Sequence, residues 1–275
     1  MTNGATREEA KAFYDRFSLD HGADDWRRDN GRHLRIRSEL ARLLGAPRGL
    51  RVLDIGCGAG VLTSDLCRYG SVTGVDLSGP AIELAAELEP RARFLTGHVQ
   101  DLDLGSGFGL VTMFDILEHV PVDERPALFA HLDSLLSPEG WLVLTTPHPG
   151  YTRRLHEQSP EALQVIDEPV PLPDIVALAE RHGLELIDYR AYDVDVPGAR
   201  QYQLIAFARG AGQALPLPAG GRLARQRAQI AALPAGPLPK LRRVTHALRL
   251  ARSGRFAAAR WLLGRRGTLP AQSER

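Results

Sequence analysis

The stretch RVLDIGCGAG, Arg51 to Gly60, decides how the rest of the chain is read. Val52, Leu53 and Ile55 make a short apolar run of the kind a buried strand needs, and it ends in Gly56, Gly58 and Gly60. The helical-looking segment VLTSDLCRYG follows at once. A strand that feeds a glycine loop and then a helix opens a nucleotide-binding α/β sheet. Glycine lets the loop turn tightly and lets a ligand come close, because no Cβ stands in the way. The spacing excludes two common versions of such a loop. A dinucleotide fingerprint needs G-x-G-x-x-G, and Val61 stands where its third glycine belongs. No lysine follows the glycines, so the loop is not a P-loop. Asp54, at the loop entrance, suits a pyrophosphate badly and suits a ligand carrying an ammonium and a sulfonium well.

The run V-L-D-I-G-C-G-A-G resembles the first motif of class I S-adenosylmethionine-dependent methyltransferases. The resemblance spans about residues 45–209 and implies S-adenosyl-L-methionine as cofactor, leaving as S-adenosyl-L-homocysteine. It places the cofactor's carboxypropyl end against Asp54, Gly56, Cys57, Gly58 and Gly60. Asp76 ends the second predicted strand, where a carboxylate accepts two hydrogen bonds from a ribose diol, with Leu77 beside it. The same acid could instead cap the next helix, although Ser78 already suits that role. At the third strand the resemblance has an aspartate after the glycine, and this chain has His98. A neutral imidazole accepts one hydrogen bond, so His98, Gln100 or Asp101 would take the adenine amino contact, and the Val99 N–H a ring nitrogen. Phe114, within the fourth predicted strand, is a further candidate for cofactor binding.

Past Phe114 the sequence reads Asp115-Ile116-Leu117-Glu118-His119-Val120-Pro121. Its LEHVP run resembles small-molecule methyltransferases that include the ubiquinone-biosynthesis O-methyltransferases. The Asn/Asp-Pro-Pro-aromatic signature of enzymes that methylate base or amide nitrogen is missing, which argues against a nucleic-acid acceptor. Methyl transfer from a sulfonium needs alignment and, for a hydroxyl acceptor, a proton acceptor. His119 and His148 are the candidate catalytic bases, one after strand four and one between Pro147 and Pro149 after strand five. Each histidine also has a plain packing or loop role open to it. Asp115, Glu118 and His119 form an alternative ligand set for a divalent cation. They equally suit a solvent-facing helix start, which is the preferred reading, so no metal is expected.

Composition sets the frame. The chain has 275 residues, 44% of them hydrophobic, enough for a substantial core. Its start, MTNGATREEAKAF, has no signal-peptide pattern, and no apolar run approaches membrane-spanning length. Cys57 and Cys67 are the only cysteines, so no disulfide framework is expected and a reducing cytoplasm is the simplest home. Thirteen basic residues and one acid from Gly210 onward give that tail about +12. Against a total of +1, the remainder carries about −11. Such a split implies an anionic partner for the tail.

In order, residues 1–45 read as a helical cap, 46–209 as the core and 210–275 as a basic linker and helical extension. In the cap, Ala10, Phe13, Tyr14 and Phe17 recur at helical spacing, and Leu34, Ile36, Leu40, Leu43 and Leu44 do so again. Between them SLDHGADDWRRDNGRH reads as a polar link. By the resemblance Tyr14, Trp26, Asn30, Arg32 and His33 are candidate lid residues, with Tyr14 and Trp26 for substrate. Phe13, Phe17 and Trp26 could equally anchor the helices. In the core, strands at 51–55, 71–76, 91–99, 110–117 and 141–147 alternate with helices at about 60–69, 79–89 and 123–136. A helix at 172–182 and two β-rich runs joined by a Pro197-Gly198 turn follow. This is a doubly wound α/β sheet, and the resemblance makes it Rossmann-like and seven-stranded with an antiparallel last strand.

Residues 148–171 read as a long loop offering Tyr151, Arg153, Arg154 and His156 to a polar or anionic acceptor. In the tail, Leu241, Val244, Leu248 and Ala251 share a helical face among arginines. Basic amphipathic helices bind anionic membrane surfaces or acidic proteins. Docking on the acidic body, with closure of a homodimer, is the other reading, and the membrane's inner face would make the protein peripheral. The expected activity is O-methylation of a small-molecule or carbohydrate-like intermediate, a natural product or glycan. N- or C-methylation and a non-catalytic cofactor-binding module are the alternatives.

Overall fold

The computed structural model describes residues 6–28, 30–45, 49–210, 239–255, 258 and 261–262. Strand β1 (Leu50–Ile55) pairs in parallel with β2 (Gly70–Asp76) and β4 (Phe108–Phe114). The other strands are β3 (Arg93–Thr96), β5 (Leu136–Pro147), β6 (Leu184–Tyr192) and β7 (Tyr202–Arg209). They form one seven-stranded sheet in the order β3-β2-β1-β4-β5-β7-β6, and β7 is antiparallel to both neighbours. The Rossmann-like arrangement expected from the alternation is therefore present.

Each central strand is apolar on both sides because both faces are covered. Successive residues split between the faces: Leu53, Val111, Leu142 and Ile205 pack into one layer, and Val52, Leu110, Val143 and Leu204 into the other. Helices α5 (Arg125–Leu135) and α7 (Leu172–Glu180) cover the first layer with Phe129, Leu132 and Ile175. Helices α2 (Gly31–Leu44) and α3 (Val61–Leu66) cover the second with Ile36, Leu40, Leu62 and Leu66. Helix α4 (Gly79–Leu88) starts beside the end of β2, capped by Ser78, whose hydroxyl accepts from the Ala81 N–H at 3.2 Å.

Four sequence expectations need correction. Most of the polar link of the cap is helix, because α1 runs unbroken from Arg7 to Arg27 and the chain leaves the helix only at Arg28. A capping box between Thr6 and Glu9 starts it, and no proline interrupts it. Phe17 does not anchor the helix: it is 39% exposed, as is Leu34 at 38%. The long loop after β5 holds helix α6 (Pro149–Gln158) and a 3-10 turn at Pro160–Ala162. Pro149 at its first position has the φ a helix needs and lacks the N–H that would go unpaired there. In the extension, helix α8 (Pro239–Arg252) buries His246, Ala247 and Leu250, while Leu248 is 53% exposed. The buried face is thus rotated from the expected one. The side chains of Leu241 and Val244, the helix expected near 221–232 and most of the tail's arginines lie outside the described residues. No helix among the described residues is long and apolar enough to cross a membrane.

Candidate active site

The parallel strands bring their carboxyl ends to one rim of the sheet, and the order changes direction between β1 and β4. Ile55, Asp76 and Phe114 end their strands there, and α1 crosses above them. Beneath it lie two adjoining lobes of a crevice, about 380 Å³ and about 170 Å³. Together they reach the size range of small-molecule sites. Tyr14, Gly56, Asp76, Ile116 and His119 line both lobes and mark their junction.

The glycine loop is built by backbone bonds. Val75 O accepts from the N–H groups of Gly56 at 2.8 Å and Cys57 at 3.1 Å, and the Gly58 N–H donates to Asp76 Oδ2 at 2.8 Å. The N–H groups of Gly56, Cys57 and Gly58 therefore serve the loop itself. Gly56 has φ +70°, and a Cβ there would lie 1.9 Å from Ile116 Cδ1. Gly56→Ala is accordingly expected to push Ile116 and the loop apart, lowering stability by about 1–3 kcal/mol through strain and clash. Cofactor affinity should fall with it. Thermal melting and cofactor titration check this, and a variant that melts and binds as the parent does would contradict it.

Asp54 is 2% exposed and accepts from Thr63 at 2.6 Å and Thr112 at 2.8 Å. Burial pushes its pKa up to about 6, against the two hydroxyl donors. Its carboxylate knits β1, β4 and α3 together at the floor of the larger lobe. Asp76 sits at the junction, its Oδ1 accepting from the Ser78 N–H at 2.9 Å. A carboxylate offers about four lone-pair sites, so the backbone donors of Gly58, Leu77 and Ser78 leave room for a ribose hydroxyl.

The smaller lobe is mostly apolar, with Val75, Leu77, Val99, Met113 and Ile116 in its wall. His98 joins them, and its Nδ1 is buried without a hydrogen-bond partner. Burial, followed by the Arg7 guanidinium, lowers its pKa, so the ring is neutral and its nitrogen can accept. A flat apolar slot with one orphaned acceptor, a carboxylate at its mouth and a glycine loop beyond fits an adenosine carrying an amino-acid arm. Asp76, Leu77, His98 and Val99 would hold the nucleoside end; Asp54, Phe114 and the loop from Gly56 to Gly60 would hold the other.

The larger lobe carries the polar groups. His119 is set by the 3-10 turn Leu117–His119, and its Nδ1 lies 2.5 Å from Ile166 O. A carbonyl only accepts, so Nδ1 carries the proton and Nε2 keeps its lone pair. Burial lowers the pKa of His119, which keeps the ring neutral near pH 7. Glu118 is 1% exposed, its Oε2 has no hydrogen-bond partner, and burial together with Asp115 raises its pKa well above the usual range. Asp115 has φ +57° and pairs with Arg32 at 2.8 Å and Thr145 at 2.9 Å.

The structure separates several expected partners. His148 does not line the crevice: its Nδ1 accepts from the Gly150 N–H at 3.1 Å and caps α6. Trp26 is buried away from the crevice, its Nε1–H donating to Ala59 O at 2.6 Å. Arg153 is exposed on α6, and Asn30 caps α2 by accepting from the His33 N–H at 2.7 Å. Tyr14, Tyr151, Arg32 and His33 do line the larger lobe. Asp115, Glu118 and His119 do not converge as ligands, and among the described residues no group of three or more His, Cys, Asp or Glu is arranged around a metal position. Ile166 and Tyr202 were missed because only the folded chain brings them to the LEHVP segment.

Comparison with known proteins agrees with this geometry. A family model described as a methyltransferase domain matches residues 27–189, more than half of the chain. A mitochondrial ubiquinone biosynthesis O-methyltransferase of Schizosaccharomyces pombe is 38% identical over 125 residues, 42% of this chain and 45% of that protein. The Xanthomonas axonopodis pv. citri ubiquinone biosynthesis O-methyltransferase is 36% identical over 118 residues, 40% of this chain and 48% of that protein. The match thus spans about half the length of these relatives. Among solved structures, magnesium protoporphyrin IX methyltransferase of Synechocystis with bound S-adenosylhomocysteine superposes with a TM-score of 0.60 at 20% identity. It covers 74% of this chain and 99% of that one. The N-methyltransferase NodS of Bradyrhizobium japonicum, also with S-adenosylhomocysteine, gives 0.54 at 18% identity over 66% of this chain and 89% of that one. These two likenesses concern the fold. The loop after β1, the acid ending β2 and the matched domain together make this chain a member of the methyltransferase-domain family, a class I S-adenosylmethionine-dependent methyltransferase.

Proposed function

We propose that the protein O-methylates a small hydroxylated molecule and that His119 takes the hydroxyl proton. The observation that carries this is the His119 ring: its Nδ1–H is committed to Ile166 O, which leaves Nε2 as a base in the lobe beyond Asp76. S-adenosylmethionine supplies an electrophilic methyl group on a sulfonium that leaves as a neutral thioether. The chain's own residues do the rest. Asp76 and the glycine loop fix the donor, and alignment of donor and acceptor replaces a costly bimolecular encounter. Tyr14, Tyr151 and Tyr202 offer ring faces and hydroxyls to the acceptor. The Arg32–Asp115 pair ties the cap to the end of β4, so α2 helps close the lobe.

An aromatic ring hydroxyl is the acceptor class that these tyrosines favour. The names of the two relatives, both of ubiquinone biosynthesis, lean the same way. The glycan or natural-product acceptor expected from the sequence finds no support in either, and it is not carried forward. His148, the other candidate base, serves α6 instead.

The test is transfer of a labelled methyl group from S-adenosylmethionine to a panel of hydroxylated aromatics and matching aromatic amines. Label should appear on oxygen. Transfer to amines alone would favour the N-methyltransferase reading, and tight cofactor binding with no turnover on any acceptor would favour the non-catalytic module.

A further inference from the structure

We propose that the C-terminal extension is a strap that sets cofactor affinity, acting through Trp26 on the glycine loop. This rests on the cofactor site alone and does not depend on the acceptor. Its starting point is Ala59, in the loop. One side of Ala59 lines the larger lobe, and its carbonyl accepts the buried Trp26 indole N–H at 2.6 Å. The same helix approaches the loop one turn earlier: a Cβ on Gly22 would lie 3.2 Å from Ala59 Cβ and 3.2 Å from Leu84 Cδ2. Helix α1 therefore reaches the loop at two points, while its other half, with Tyr14, Phe17 and Ser18, roofs the crevice.

The extension covers the far side of Trp26. The His246 ring lies 4.6 Å from the indole at an interplanar angle of 37°. Ala247, Leu250, Ala258, Trp261 and Leu262 complete a cluster with Trp26, Leu84 and Leu88. The Arg27 guanidinium sits 4.2 Å over the Trp261 ring. His246 Nε2–H also donates to the Leu88 carbonyl in the last turn of α4, where the helix itself supplies no partner. The extension thus joins the end of α1 to the end of α4, the helix that begins three residues after Asp76. The loop, through Trp26, and the far end of the helix that follows Asp76 are thus braced by residues outside the matched domain.

The loop is a turn of left-handed glycines, with φ of +70°, +50° and +80° at Gly56, Gly58 and Gly60. Glycine loses the most conformational freedom on ordering. A fixed donor on the Ala59 carbonyl holds that turn ordered before the cofactor arrives, and preordering raises affinity without a new contact to the ligand. Trp26 and His246 are positioning residues in this scheme.

Trp26→Phe in the full chain keeps a ring against His246 and removes the N–H. Cofactor Kd should rise about two- to twelvefold, the range for the net loss of one hydrogen bond, while kcat at saturating cofactor and the acceptor KM stay as in the parent. His246→Ala should raise cofactor Kd as well, and His246→Phe, which keeps the ring, should recover part of the loss. The Trp26→Phe/His246→Ala double variant should lose less than the product of the two single effects, because both act through one contact. Melting temperature is followed alongside. If Trp26→Phe and His246→Ala lower the melting temperature but leave cofactor Kd within twofold, the strap has no hold on the loop; if the two losses multiply, the extension does not act through Trp26, and the proposal fails.

Discussion

Replacing His119 with alanine is expected to lower kcat about 10²–10⁴-fold, the usual contribution of a positioned general base. Cofactor Kd should change far less than kcat, because the ring lines the junction of the two lobes but holds no loop atom. The pH profile identifies the role. Burial holds the His119 pKa below 6.5, so the neutral base dominates at pH 7 and kcat/KM should fall only as the solution becomes acid. The alanine variant should lose that acid limb along with its rate. Stability follows the same sign. The unfolded chain binds the proton near pH 6.5 while the folded chain resists it, so this residue's share of stability is present above pH 6.5 and declines below it. His119→Gln separates packing from proton transfer: it should fold like the parent and turn over like the alanine variant. A full rate in either variant would remove His119 from the mechanism.

The second large effect belongs to Asp76. Alanine there removes both oxygens expected to accept from the ribose diol, and each charged hydrogen bond is worth about 1.5–3 kcal/mol. Cofactor Kd should therefore rise on the order of 10²–10⁴-fold. Part of that loss comes from within the protein, since the Gly58 and Ser78 N–H groups lose their acceptor. Asp76→Asn keeps one oxygen for those donors and should lose less. Calorimetric titration with S-adenosylmethionine measures both variants, and far-ultraviolet circular dichroism checks that the sheet remains. Near-parental binding by the alanine variant would mean that the nucleoside lies elsewhere.

The fold was legible because its signals are local. A continuous apolar run, as in Val52–Leu53 and Leu142–Val143, marks a strand covered on both faces and needs only the residues themselves. The loop could be read because Gly56, Gly58 and Gly60 answer to backbone torsions, a property of single residues. The cap was misread because its link is rich in Asp and contains Gly22, both turn-formers in isolation. Tertiary contact overrode that preference: Gly22 presses against Ala59 and Trp26 is buried beneath the extension.

The two histidines show where local reading stops. His119 and His148 each follow the carboxyl end of a strand, β4 and β5. Their roles diverge because the Ile166 carbonyl, 47 residues away, takes the Nδ1–H of one, while the N–H of Gly150, two residues away, donates to the other. The chain's order of residues was enough for a strand, a glycine turn and an acid at the next strand's end, since each rests on its nearest neighbours. Which imidazole faces the crevice, which tryptophan braces the loop and which face of the last helix is buried depend on groups brought together by the sheet's topology, and no spacing along the chain encodes those distances.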